Sequence, residues 1–186
     1  MKNTTYDKTD FLKQGFIAGE YEKCTFINCT FANADLSEII FWECRFEACD
    51  LSLAKLSKTS FRDAIFADCK MLGLRFEDCN KFGLSISFDN CILSHSSFYQ
   101  LKLKNTIFKN CRLNEADFSQ CDLTNAIFEN CDLAGATFDN TNLEKADLRT
   151  AQNYSINPEL NKIRKARFSL AGVEGLLHRY DIEIES

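Results

Sequence analysis

The sequence is poor in the residues that make tight turns, with one proline and seven glycines in 186 residues. Sandwiches and barrels closed by many hairpins use far more of both, so that class of all-β fold is excluded. Histidine is also scarce. The two present, His95 and His178, offer no evident partner for a catalytic thiol and read as solvated. No apolar run approaches the ~20 residues that a membrane-spanning helix needs. Met1–Asp10 is polar, without the apolar core of a secretion signal, so the expected compartment is the cytoplasm. The net charge of −5 argues against direct nucleic-acid binding, because phosphate contacts need clustered Lys and Arg. Glycine-rich phosphate loops, nucleophile elbows and metal motifs are all missing. The chain therefore reads as non-enzymatic, with no cofactor and no metal.

What the sequence has in abundance is phenylalanine, 17 residues, and cysteine, ten. Both fall into a repeat. Apolar centres recur every five residues from Phe11 through Phe16, Tyr21, Phe26 and Phe31 to Phe76. The register slips by two residues and resumes at Phe88, running through Leu93, Phe98 and Leu103 to Leu148. Two positions before the centre stands, almost throughout, a small or modestly apolar residue, such as Ala34, Ala54, Ala116 or Ala146.

A period of five matches neither the 3.6 of a helix nor the 2 of a strand. It fits a chain that turns a corner in every unit, with the centre and the residue two before it pointing inward. Four corners close a coil of 20 residues, and coils stack at the ~4.8 Å spacing of paired strands. Phe88, Phe108 and Phe128 then share one face, and Phe98, Phe118 and Phe138 another. Asn90, Asn110 and Asn130, 20 apart, are placed for an amide ladder. Aspartates one residue before the centre, such as Asp35, Asp50, Asp117 and Asp132, are placed to accept hydrogen bonds from nearby backbone.

All ten cysteines, Cys24, Cys29, Cys44, Cys49, Cys69, Cys79, Cys91, Cys111, Cys121 and Cys131, take the small inward position. They read as buried apolar fillers. Spacings of five are the repeat itself and contain no close pair of zinc-ligand spacing.

Units such as Ala34-Asp35-Leu36-Ser37-Glu38 and Ala116-Asp117-Phe118-Ser119-Gln120 resemble those of the pentapeptide-repeat proteins. The resemblance covers Phe11–Arg149 and implies that family's fold, a right-handed quadrilateral β-helix. The right-handed crossover preference of parallel strands agrees with that hand. The expected organisation is a polar N-terminal segment over 1–10, the β-helix over 11–149, and a helical cap and dimerisation segment over 150–186.

Departures from the pattern are the candidate functional positions. The register slip falls in Asn80–Ser85 and is either a mere bulge or a loop presenting Lys81 and Phe82 to a partner. Trp42 and Tyr99, with Leu53 and Leu72, are large apolar groups at nominally exposed positions. Trp and Tyr are the favoured interface anchors among them. In the tail, Asn157-Pro158 has the signature of a helix start, with Leu160, Ile163 and Ala166 on one side. Ser169 is placed to cap a second helix bearing Val173, Leu176, Leu177 and Tyr180, the candidate dimer interface. The alternation in 181–185 suggests a short strand.

The tail, with Asn157-Pro158-Glu159-Leu160-Asn161 and Gly175-Leu176-Leu177-His178-Arg179-Tyr180, is similar to that of the Qnr quinolone-resistance proteins, MfpA and the microcin-immunity protein. That resemblance implies a homodimer joined through its C-terminal end. It also implies binding to DNA gyrase or topoisomerase IV by imitation of duplex DNA, and protection of the enzyme from quinolones or a peptide toxin. The basic run Lys162, Arg164, Lys165 and Arg167 departs from it. A general interaction scaffold with another cytoplasmic partner is the second reading. An acidic stripe on one face favours the first, and mixed charge on all faces the second.

Overall fold

The computed structural model describes residues 1–183 and 185. The chain winds as a four-sided solenoid of parallel strands. The strands are β1 (Thr5–Asp7), β2 (Glu20–Glu22), β3 (Thr25–Ile27), β4 (Ile40–Trp42) and β5 (Arg45–Glu47). After them come β6 (Ser60–Arg62), β7 (Ala64–Ala67), β8 (Ile86–Asp89), β9 (Ile107–Lys109) and β10 (Ile127–Glu129). The first face carries β2, β4 and β6 as a three-stranded sheet, and the second carries β1, β3, β5, β7, β8, β9 and β10 as a seven-stranded one. On the third and fourth faces, successive coils meet through isolated parallel bridges such as Asp50↔Lys70 and Asp117↔Thr137.

The register is the one the period demands. Phe26 pairs with Phe46, Phe46 with Phe66 and Phe108 with Phe128, each 20 residues apart, while Phe66 pairs with Phe88 across the slip. These rings stack along the axis with centroids 4.8 Å apart for Phe46–Phe66 and 5.0 Å for Phe108–Phe128. The step from Phe66 to Phe88 widens to 5.5 Å. A second column, Phe76, Phe98, Phe118 and Phe138, meets the first edge to face, as Phe98 meets Phe108 at 85°. Each ring thus has parallel-stacked neighbours along the rod and perpendicular ones across it, both favourable geometries for aromatic pairs.

Two local devices close each unit. Aspartates one before the centre accept from the backbone N–H two residues on, as Asp35 from Ser37 at 2.9 Å and Asp117 from Ser119 at 2.8 Å. Two residues after the centre the backbone turns left-handed, with φ of 52° at Asn90, Asn110 and Asn130 and 57° at Asn125. Asn tolerates that conformation far better than other side chains do, which explains its 20-residue recurrence. The amide ladder is partial: Asn130 donates to Asn110 at 3.3 Å, whereas Asn110 reaches across to Asp89.

The cysteines are free and buried. Several donate a weak S–H bond to the carbonyl of a residue 23 positions earlier, as Cys49 to Phe26 and Cys131 to Phe108, both at 3.3 Å. Thr59 and Thr141 make the same bond through their hydroxyls. The position thus accepts alanine as a plain filler, while cysteine or threonine there adds a hydrogen bond to the coil before it. Burial pushes the Cys44 and Cys121 thiols up to about 12, so they are held as thiols.

The solenoid is longer than the expected 11–149. The segment over 1–10 is its first coil: β1 pairs with β3, and Lys2 bridges to Glu22. At the other end Asn142↔Lys162 and Asp147↔Arg167 continue the ladder. No helix starts at Asn157. Its side chain accepts from Glu159 N–H in a single turn, and the chain re-enters the coil, with Ile163 and Phe168 packed on the core five residues apart. Burying two central positions outcompetes a one-sided helix (tertiary packing, not propensity, decides short helices). The cap is helical only as short 3₁₀ turns, at Val173–Leu176 and His178–Tyr180. It lies across the last coil through Ile156 N–H to Gly175 O, 2.8 Å, with Gly172 and Gly175 seated against the Tyr154 side chain. Of the expected terminal strand, 181–183 are irregular, and Ile184 lies outside the described residues.

Candidate partner-binding face

The first face gathers most of the departures from the repeat. Trp42 sits at the end of β4, in register between Glu22 and Arg62, and is 39% exposed. The sheet then stops. Where the next strand belongs, the chain leaves the coil and projects Phe82, 80% exposed, with Lys81 beside it. Both feet of this excursion are clamped. Asn80 N–H donates to Thr59 O at 2.8 Å, and its side chain to Ser60 Oγ at 3.1 Å. On the return, Ser85 N–H donates to Phe61 O at 3.0 Å, and its hydroxyl to Asp63 at 2.8 Å. Phe82 N–H donates to Asn80 Oδ1, and Gly83 takes a φ of 70°, where a Cβ would lie 3.7 Å from Arg62 Nε.

The slip is thus a tight, anchored bulge that holds a phenyl ring in solvent, not a loose loop. Arg62 lies between it and Trp42, so Trp42, Arg62, Lys81 and Phe82 follow one another along a single face. Tyr99 is elsewhere. It belongs to the neighbouring fourth face and is half-buried, its hydroxyl accepting from Gln100 at 3.1 Å. Leu53, 63% exposed, is on the third face. Sequence reasoning found the bulge and Trp42, but it had no way to set Tyr99 apart from them before the faces were assigned.

The tail residues divide. Val173 and Tyr180 are exposed, with Tyr180 bonded to Glu159 and beneath Arg179. Leu176 packs against the core and Leu177 is half-buried. Leu170 and Ile182 are the more exposed apolar groups at this end.

Charge is sorted by face. The fourth carries Asp35, Glu38, Glu77, Asp78, Asp117, Asp139 and Glu159 against Lys55, Lys58 and Arg75. Many charges are paired one coil away, as Lys55 with Asp35 at 3.0 Å, Lys58 with Glu38 at 3.3 Å and Lys70 with Asp50 at 3.5 Å. Asp117 and Asp139 have no such cation among the described residues. Among the described residues no group of His, Cys, Asp and Glu is arranged to hold a metal ion, and no helix is long and apolar enough to cross a membrane.

Comparison with known proteins agrees with this architecture. The family model described as the pentapeptide repeat region matches residues 19–82 and 84–169, the break falling at the bulge. No curated protein matches. Among solved structures, two trypsin-treated forms of QnrB1, described as a plasmid-mediated fluoroquinolone resistance protein, are similar along the whole length. One is 21% identical, with 99% of each chain covered and a TM-score of 0.51. The other is 23% identical, with 100% of this chain and 97% of that chain covered, also at 0.51. HetL, a pentapeptide-repeat protein of the cyanobacterium Nostoc involved in regulating heterocyst differentiation, is 17% identical over 91% of this chain and 82% of its own, with a TM-score of 0.48. With the family model spanning most of the solenoid, the chain belongs to the pentapeptide-repeat family.

Proposed function

We propose that this rod works by binding and not by catalysis, and that its partner is DNA gyrase or topoisomerase IV, which it protects from quinolones or a peptide toxin. The observation that carries the reading is the carboxylate excess along the fourth face of a rod about as long as one turn of duplex. Coils stacked at ~4.8 Å from Lys2 to Arg167 give roughly 39 Å, a little more than the ~34 Å of one turn of DNA. A face of that shape and sign competes for a basic DNA-binding groove. The full-length likeness to QnrB1 supports the same direction. The bulge then serves as a lateral contact, with Phe82 as apolar anchor and Trp42 beside it on the same face.

The expected assembly is a homodimer through the C-terminal end, now resting on Val173, Tyr180 and Leu170, because Leu176 is occupied by the core. Replacing Val173 and Tyr180 by Glu should shift the protein to monomer in sedimentation. A double variant that stays dimeric removes this interface.

The deciding assay is supercoiling by a bacterial gyrase poisoned with a fluoroquinolone, with and without the protein. Restored supercoiling, weakening steeply with salt, is the expected result. Failure at severalfold molar excess, together with no gyrase binding at low salt, leaves the second reading, a scaffold for another partner. The mixed charge of the second and third faces, with cross-coil pairs such as Lys109–Glu129 and Lys70–Asp50, favours that alternative.

A further inference from the structure

Along most of the rod, a lysine has its opposite charge one coil away. Lys2 meets Glu22, Lys23 meets Glu43, and Lys109 meets Glu129. The C-terminal half of the first face breaks this rule. Its outward positions hold Lys102, Lys104, Lys145, Lys162, Arg164 and Lys165 against only Asp122 and Glu144. Asp122 is taken by Lys104 at 3.2 Å. None of the other five cations has a carboxylate within 4 Å among the described residues.

Lys145 and Lys165 break the rule most sharply. Lys145 N–H donates to Arg164 O at 3.0 Å, which sets the two lysines at the same corner of successive coils, both left-handed with φ of 59°. Like charges stacked directly across a strand pair destabilise it, and the rod avoids the arrangement at the cross-coil pairs above. A cation column kept at such a cost, and given no internal counter-ion, has its counter-ion elsewhere.

We propose that this half of the first face binds the phosphate backbone of duplex nucleic acid. The inference goes beyond the enzyme-protection reading and does not depend on it. Two observations select nucleic acid over an acidic protein. First, the patch is flanked by neutral amides, with Asn125 donating to Asn105 at 3.1 Å along one edge and Gln100 to Gln120 at 2.9 Å along the other. Lys, Arg, Asn and Gln are the side chains that contact phosphate and sugar. Second, no outward position of this half-face is apolar, whereas a protein interface has an apolar or aromatic anchor at its centre. The whole-chain charge of −5 conceals the patch, because its cations come from separate coils that only the fold brings together.

The test is fluorescence anisotropy of a labelled 25-base-pair duplex (a length of roughly two and a half turns), titrated with the intact protein. Neutralising about four phosphates predicts a slope near −3.6 in log K against log salt, so binding at 50 mM salt should weaken on the order of 100-fold by 200 mM. Lys145→Glu is the informative variant. It should weaken duplex binding at 50 mM by tenfold or more, while the melting temperature holds or rises, because Lys165 gains a partner. Lys55→Glu makes the same change of net charge on the fourth face and should leave duplex binding within about twofold. No wild-type binding at 50 mM, or an unaltered affinity in Lys145→Glu, overturns the proposal. Equal binding to polyglutamate also overturns it, by reassigning the face to an acidic protein.

Discussion

At the scale of single residues, each five-residue unit makes one unusual demand, a left-handed corner two positions after its centre. Leucine, alanine, lysine and glutamate occupy that corner in places, against an intrinsic cost of about 1 kcal/mol each. Ala48, with φ of 50°, interrupts a column in which Asn28, Asp68, Asn90, Asn110 and Asn130 hold the same corner. Ala48→Asn should therefore raise unfolding free energy by about 0.5–1 kcal/mol in urea titration. A second prediction concerns acid. The Arg149 guanidinium holds the Asp147 carboxyl below its ordinary range, and the Asn153 amide does the same for Asp132. Carboxyls depressed in the folded state contribute stability that is present above the ordinary carboxylate pKa of ~3.9 and is lost as pH falls through their folded values. Arg149→Gln should accordingly cost more stability at pH 7 than at pH 3, and equal losses at the two would place the Arg149 contribution in packing alone. The inward pattern was readable from Phe, Leu, Ala and Cys because burial is decided residue by residue. The left-handed corner was not, since Asn90 or Asn110 looks the same whether it serves a ladder or a backbone torsion.

At the scale of elements, the bulge and the tail behave oppositely. The bulge at Asn80–Ser85 was visible as a broken register, and the clamps from Thr59, Ser60, Phe61 and Asp63 account for its shape without any larger rearrangement. Removing Lys81 and Phe82 restores the 20-residue step between Phe66 and Phe88. The deletion should move the melting temperature by no more than a few degrees while weakening partner binding; a large fall in melting temperature would make the bulge structural. The tail misled because Asn157-Pro158 carries a true helix-start signal at a place where Ile163 and Phe168 still have core positions to fill. Local capping contributes ~1 kcal/mol, and burying two large apolar side chains contributes several.

At the scale of the whole molecule, the sequence period determined how faces are assigned, but not what each face carries. Net charge is a sum, and the sorting into an acidic fourth face and a basic half of the first appears only once residues 20 apart are stacked. The same stacking makes the rod a one-dimensional polymer in which each coil touches only its neighbours. In such a chain the weakest interface decides where cooperativity breaks. The 5.5 Å step between Phe66 and Phe88 coincides with the end of the three-stranded sheet, so strand pairing on the first face stops there while β7 and β8 stay paired on the second. Native-state hydrogen exchange should then resolve two blocks of amides, before and after the bulge, opening with separate free energies. A single opening free energy throughout would mean that the aromatic column carries cooperativity across the fault. Two blocks would make the bulge a joint between half-rods, able to twist one set of faces against the other without unwinding either.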